Sequence, residues 1–167
     1  VLVKYYCDLE PKNNRGMRPL VFAIVHGKDS GVRALLQNNC RLDYTVNYRS
    51  LFYLALYSNS GPFRWIILRM LLIAGCRFRL TDLNFISDSE LKLLLPADGT
   101  DVSIIRSLDR ASTIKRLNAP PSLLFLSRAS IRCYLPRNRP FRQQVELLEI
   151  PLILKDYLLL KELDRLF

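Results

Sequence analysis

Val32-Arg33-Ala34-Leu35-Leu36-Gln37-Asn38-Asn39-Cys40 returns further along the chain as Leu68-Arg69-Met70-Leu71-Leu72-Ile73-Ala74-Gly75-Cys76, an offset of 36 residues. Upstream, Arg18-Pro19-Leu20-Val21-Phe22-Ala23 returns as Ser50-Leu51-Phe52-Tyr53-Leu54-Ala55, an offset of 32. The mismatch puts four extra residues inside the second unit, around Asn59–Phe63. Each unit reads as a helix, a turn containing glycine (Gly27, Gly61) and a second helix ending in a Leu-Leu pair. Asn39 and Gly75 fall just past that helix, where a left-handed residue closes it and Gly or Asn is tolerated. Cys40 and Cys76 take the same slot, which suits a small buried residue.

The rest of the composition agrees with stacked helices. Of 167 residues, 33 are Leu and six are Gly, and half the chain is apolar. Leu, unbranched at Cβ, keeps its rotamers in a helix, so this favours an all-α fold over a sandwich and excludes a disordered tail. Val1 rather than Met opens the chain, as in a fragment of a longer protein. The longest apolar runs, Trp65–Ala74 (broken by Arg69) and Leu158–Leu160, fall well short of the ~20 residues of a bilayer span. Val1–Val3 is no signal-peptide core. Cys7, Cys40, Cys76 and Cys133 are widely spaced and read as buried free thiols in a reducing compartment. With one histidine, His26, metal sites and His-dependent catalysis are thinly supplied. His26 itself, before Gly27, reads as a turn or surface residue. No catalytic residue, metal or cofactor is expected, and the protein is expected in the cytoplasm, with the nucleus also open to it.

The formal charge of +10 is uneven. Residues 11–81 carry +9, 82–119 carry −1, 120–167 carry +3 and 1–10 carry −1. The first half is therefore the basic one, with implications for its partners.

At Arg18–Ala23 and Leu71–Cys76 the chain resembles the ankyrin repeat. The T-P-L-H-x-A opening of that family stands here as Arg-Pro-Leu-Val-Phe-Ala, and its L-L-x-x-G-A closing as Leu-Leu-Ile-Ala-Gly-Cys. The threonine and histidine of the signature are missing, but two copies occur near the family period of about 33 residues. An unrelated array of helical hairpins is the plainer alternative. Farther on, Ser87-Asp88-Ser89-Glu90 forms a capping box before Leu91–Leu95, which Pro96 ends. A second helix is expected from Asp101, with Val102, Ile105 and Leu108 on one face. This pair reads as an atypical terminal unit. Two clear repeats are fewer than the usual three, so either further repeats lie upstream or residues 1–10 and 82–119 act as caps.

Asn118-Ala119-Pro120-Pro121 breaks the pattern. Ser122 caps a helix expected over Leu123–Leu135, on which Leu123, Ser127, Ile131 and Leu135 share a face flanked by Arg128 and Arg132. Pro140 suits the first turn of a short helix running through Leu148. Pro151 breaks it, and Ile153–Leu163 is expected as a third helix. Ser122–Arg132 together with Leu154–Leu159 resembles a SOCS box. The resemblance implies elongin B/C binding through Leu123, Leu126, Ser127 and Ile131, with Ser127 standing where cysteine is usual. It implies cullin binding through Leu148, Ile150 and Pro151, where Glu149 replaces the first proline of L-P-x-P.

Taken together, the expected organisation is the end of a preceding repeat or cap (1–10), two divergent ankyrin repeats (11–81), a degenerate terminal repeat (82–119) and a three-helix SOCS box (120–165). The order resembles the ankyrin-repeat and SOCS-box family. That resemblance implies a non-catalytic substrate receptor of a cullin–RING ubiquitin ligase, joined to elongin B/C and to a cullin, of cullin-5 type, with its RING protein. Arg18, Arg33, Arg49 and Arg69 recur across the basic units, and arginine suits bidentate pairing with carboxylates or phosphates. They are the expected contacts for an acidic or phosphorylated protein substrate. A repeat scaffold without a ligase link, and a basic nucleic-acid binder using aromatics such as Tyr44, Tyr48 and Tyr53, are the alternatives.

Overall fold

Pro19 starts the first helix, α1 (Pro19–Val25), after an extended Arg18, as its fixed φ and missing N–H favour. The computed structural model describes residues 8–46, 48–58, 64–76, 79–84, 86–95, 109–117, 119, 122–135 and 140–166. Helix α1 turns through His26 and Gly27 (φ +61°) into α2 (Asp29–Gln37). His26 is exposed, as the sequence suggests; its ring stacks on Phe22 at 4.0 Å. The second unit repeats the hairpin with α3 (Leu51–Ser58) and α4 (Arg64–Ala74). The left-handed closures expected after the second helices are present, with Asn39 at φ +62° and Gly75 at φ +93°. Gly61 lies outside the described residues.

The two hairpins stack: α1 packs on α2 and α3, and α4 on α2 and α3. Leu20, Ile24, Val32, Leu36, Leu51, Phe52, Ile67, Leu68, Met70 and Leu71 form one continuous core. Cys40 and Cys76 are buried at its edge in their equivalent slots. The loop ahead of each hairpin is a tight turn, closed by different bonds in the two units. Gly16 N donates to Asn13 O at 2.8 Å, while Val46 and Arg49 exchange a single β-type bridge.

The middle segment opens with a 3-10 turn, Leu80–Leu83. Asp82 is buried there and accepts from Ser50 Oγ at 2.8 Å and Arg79 N at 2.9 Å. Ser50 Oγ in turn accepts from Tyr53 N at 2.9 Å, so the acid holds the residue that caps α3. The expected capping box closes on α5 (Asp88–Lys92). The helix expected from Asp101, with Val102, Ile105 and Leu108, begins outside the described residues. Helix α6 (Arg110–Leu117) packs against α5, and Arg110 donates to Leu83 O and Asp88 Oδ1, both at 2.7 Å.

Helix α7 (Leu123–Tyr134) is capped by Ser122, whose Oγ accepts from Phe125 N at 3.2 Å. Leu135 leaves the helix as an extended cap. Helix α8 is shorter than expected, Phe141–Glu146, with Pro140 just ahead of its first turn. The third expected helix, Ile153–Leu163, is corrected to two pieces: α9 (Leu152–Leu158) and a 3-10 segment, Lys161–Leu166. Between them Leu160 takes φ +55°. Packing explains the break. Leu158 and Leu159 bury with Phe141 and Val145, while Leu160 and Leu163 enter the core of the repeat hairpins. A straight helix could not serve both clusters. A left-handed leucine costs about 1–2 kcal/mol, and burying each leucine returns about 1.5–3 kcal/mol. Among the described residues, no helix is long and apolar enough to cross a membrane.

Candidate partner-docking site on the C-terminal helices

Helix α7 carries its apolar stripe in the open. Leu123 is 83% exposed, Leu126 46% and Ile131 39%. Ser127 is also exposed; its hydroxyl donates to Leu123 O at 2.8 Å, the back-bond open to a helical serine. Leu124 and Tyr134 widen the surface. A capped twelve-residue helix showing leucine to water has the character of an unfilled interface rather than of a core element.

A second exposed group lies around the start of α9. Pro151 is exposed, and Leu147, Leu152 and Ile153 are each at least 70% exposed. Leu148 and Ile150 are half-buried and pack inward against Phe141, Val145, Leu158 and Leu159. Glu149 between them faces solvent. Sequence reasoning missed Leu147, Leu152 and Ile153. Their signal was only that a short helix with so many apolar residues cannot bury all of them.

The arginines on α7 need correction. Arg128 and Arg132 do not flank the exposed stripe; both are buried beneath the helix. Each follows a stripe residue by one position, about 100° round the axis. Arg128 pairs with Glu162 and donates to Ile73 O in the last turn of α4. Its guanidinium lies 4.2 Å from the Tyr157 ring centroid. Arg132 donates to Leu36 O in the last turn of α2 and to Leu158 O, and lies 4.6 Å from the Phe141 centroid. Burial lowers its pKa to about 10, so it stays charged at neutral pH. Helix-end carbonyls have no partner within their own helix and sit at the negative end of its dipole, which supplies the acceptors. On either side, Asn39 Nδ2 donates to Arg132 O at 2.7 Å, and a Cβ added at Gly75 would stand 3.0 Å from the Phe125 ring.

The other four arginines expected as substrate contacts stand ahead of or on the helices of the two hairpins. Arg18, ahead of α1, pairs with Glu10 at 2.8 Å and lies over Tyr44. Arg49, ahead of α3, is exposed and lies over Tyr53. Arg33 and Arg69 take equivalent places on α2 and α4, and Arg33 is paired with Asp164 at 3.4 Å. Cys133 is exposed, against the expectation of buried thiols; it stands on the outer side of α7. Cys40 and Cys76 are buried as expected, and burial pushes the Cys76 thiol up to about 12. Cys7 lies outside the described residues.

A search of curated proteins and a search of solved structures each find no match. The family comparison matches residues 119–159 to the SOCS box and gives no ankyrin match over the repeat hairpins. The chain is thus all-helical in its described residues and carries a SOCS box over 119–159, the segment that bears both exposed apolar groups.

Proposed function

We propose that this chain is a substrate-recognition adaptor of a cullin–RING ubiquitin ligase. A SOCS box is the element that links substrate receptors to elongin B/C and a cullin. In this reading Leu123, Leu126, Ser127 and Ile131 engage elongin B/C, and Leu148, Ile150 and Pro151 engage a cullin of cullin-5 type with its RING protein. Residues 11–81 act as two divergent ankyrin repeats, with 82–119 as the terminal unit, and hold the target for ubiquitination. The chain contributes recognition and leaves transfer chemistry to its partners.

The observation that carries the reading is the capped helix α7 with Leu123 and Ile131 bared on one side, inside the matched segment. Two apolar anchors a little over two turns apart suit a helix laid into an apolar groove. The basic hairpins support an acidic or phosphorylated protein target, for which Arg49 and Arg69 are more available than the internally paired Arg18 and Arg33.

Calorimetric titration of the chain with purified elongin B/C tests the assignment. Saturable one-to-one binding is the expected result. Absence of binding leaves a repeat scaffold without a ligase link. For the target, mixed-sequence RNA that fails to displace a captured protein substrate supports the acidic-protein reading; displacement favours nucleic acid, whereas salt weakens both alike.

A further inference from the structure

We propose that Arg128 and Arg132 are positioning residues that lock the partner-facing helix onto both repeat hairpins, so that the ligase-facing and target-facing surfaces form one mechanical unit. The proposal rests on the adaptor reading above and adds what joins its two halves.

The geometry assigns α7 two jobs on opposite sides. Its outer side bears Leu123, Ser127 and Ile131. Its inner side sends one arginine to the end of each second helix: Arg132 to Leu36 O of α2 and Arg128 to Ile73 O of α4. In the repeat alignment Ile73 lies one position past the counterpart of Leu36. The four-residue spacing of the arginines thus spans the step from one repeat to the next. Each guanidinium also has a second partner beyond α7, Glu162 or Leu158 O, and an aromatic ring beneath it.

Chemistry restricts these positions to arginine. Its planar fork donates to two separate acceptors while stacked on a ring, whereas lysine offers a compact, strongly hydrated charge. Removing the fork takes a charged donor from each carbonyl, leaving Leu36 O, among the described residues, with only the Asn39 N–H at 3.2 Å. Arg33 and Gln37 of α2 reinforce the joint by reaching Asp164. A ligand that binds only the ordered outer side of α7 must then favour the closed form of the hairpins by linkage.

Cys40 and Cys76 report on that linkage, since each is buried at the closing turn of one hairpin. In the full chain with Cys7→Ser and Cys133→Ser, iodoacetamide alkylation at Cys40 and Cys76 is followed by mass spectrometry, with and without elongin B/C. At 100 times the dissociation constant, elongin B/C is expected to slow both reactions at least tenfold, within the roughly 100-fold limit of simple linkage. Arg128→Met with Arg132→Met is expected to speed alkylation without the partner and abolish the protection, while calorimetry gives elongin affinity within threefold. Arg132→Lys alone is expected to reduce protection at Cys40 more than at Cys76, and keeps the test readable should the double variant unfold. Elongin binding without protection of either cysteine overturns the proposal, as does full protection in the arginine variants. Absence of elongin binding overturns the adaptor reading instead, and is seen directly in the titration.

Discussion

Gly16 and Tyr48, 32 residues apart, hold the same left-handed backbone, φ +71° and +63°, at the same point ahead of the two hairpins. Glycine is at ease there; tyrosine is strained and 92% exposed. Gly16→Ala should therefore lower stability by about 1 kcal/mol, purely through the backbone, because nothing lies within 4 Å of the added Cβ. Tyr48→Gly should cost nothing or raise stability by up to about 1 kcal/mol. Urea midpoints at constant slope measure both; a large loss on Tyr48→Gly refutes the strain argument.

Leu123 separates binding from folding. Leu123→Ala should weaken elongin B/C by about 2–4 kcal/mol, the range of a truncated interface hot spot. The free chain should stay within about 0.5 kcal/mol of its original stability, as for an exposed site. Titration calorimetry and thermal melts of the same sample decide; unchanged affinity removes Leu123 as an anchor.

Glu149 faces solvent between the inward-packed Leu148 and Ile150. A charge next to a partly apolar contact costs desolvation on docking, and a proline there is stiffer before binding. Glu149→Pro should tighten a cullin-5-type complex assembled on elongin B/C, read by surface-immobilised binding. Looser binding, or outright preference for a cullin-2-type subunit, contradicts the assignment of Leu148, Ile150 and Pro151.

Leu163 is fully buried in the core of the repeat hairpins although it lies after the SOCS box match. Leu163→Ala should cost about 2–5 kcal/mol and shift a single unfolding transition. A separate early transition confined to the C-terminal helices would show instead that the two regions unfold independently.

Local demands were legible in the sequence and long-range ones were not. Asn39 and Gly75 announce left-handed turns because few residues tolerate that backbone, and Ser87 with Glu90 announces a helix start because the bonds close within four residues. The shared face of Leu123, Ser127 and Ile131 on α7 followed from their spacing, whereas the departure of Leu135 to pack with Phe141 and Val145 did not. The burial of Arg128 and Arg132 was hidden, since arginine belongs by default in water and the carbonyls that hold it lie 55 and 96 residues away in sequence. The break at Leu160 was hidden too. Leu158, Leu159 and Leu160 look alike in sequence, and only the presence of two separate clusters divides them.

That division of three neighbouring leucines bears on how the protein is made. During synthesis the repeat hairpins leave the ribosome long before Leu160 and Leu163, so their core stays incomplete until this last segment arrives. A chain ending at Leu159 leaves that core without Leu160 and Leu163, both of which are buried in it. The hairpin core is thus completed only after the matched segment 119–159 has been made in full, so the two regions reach their final packing together.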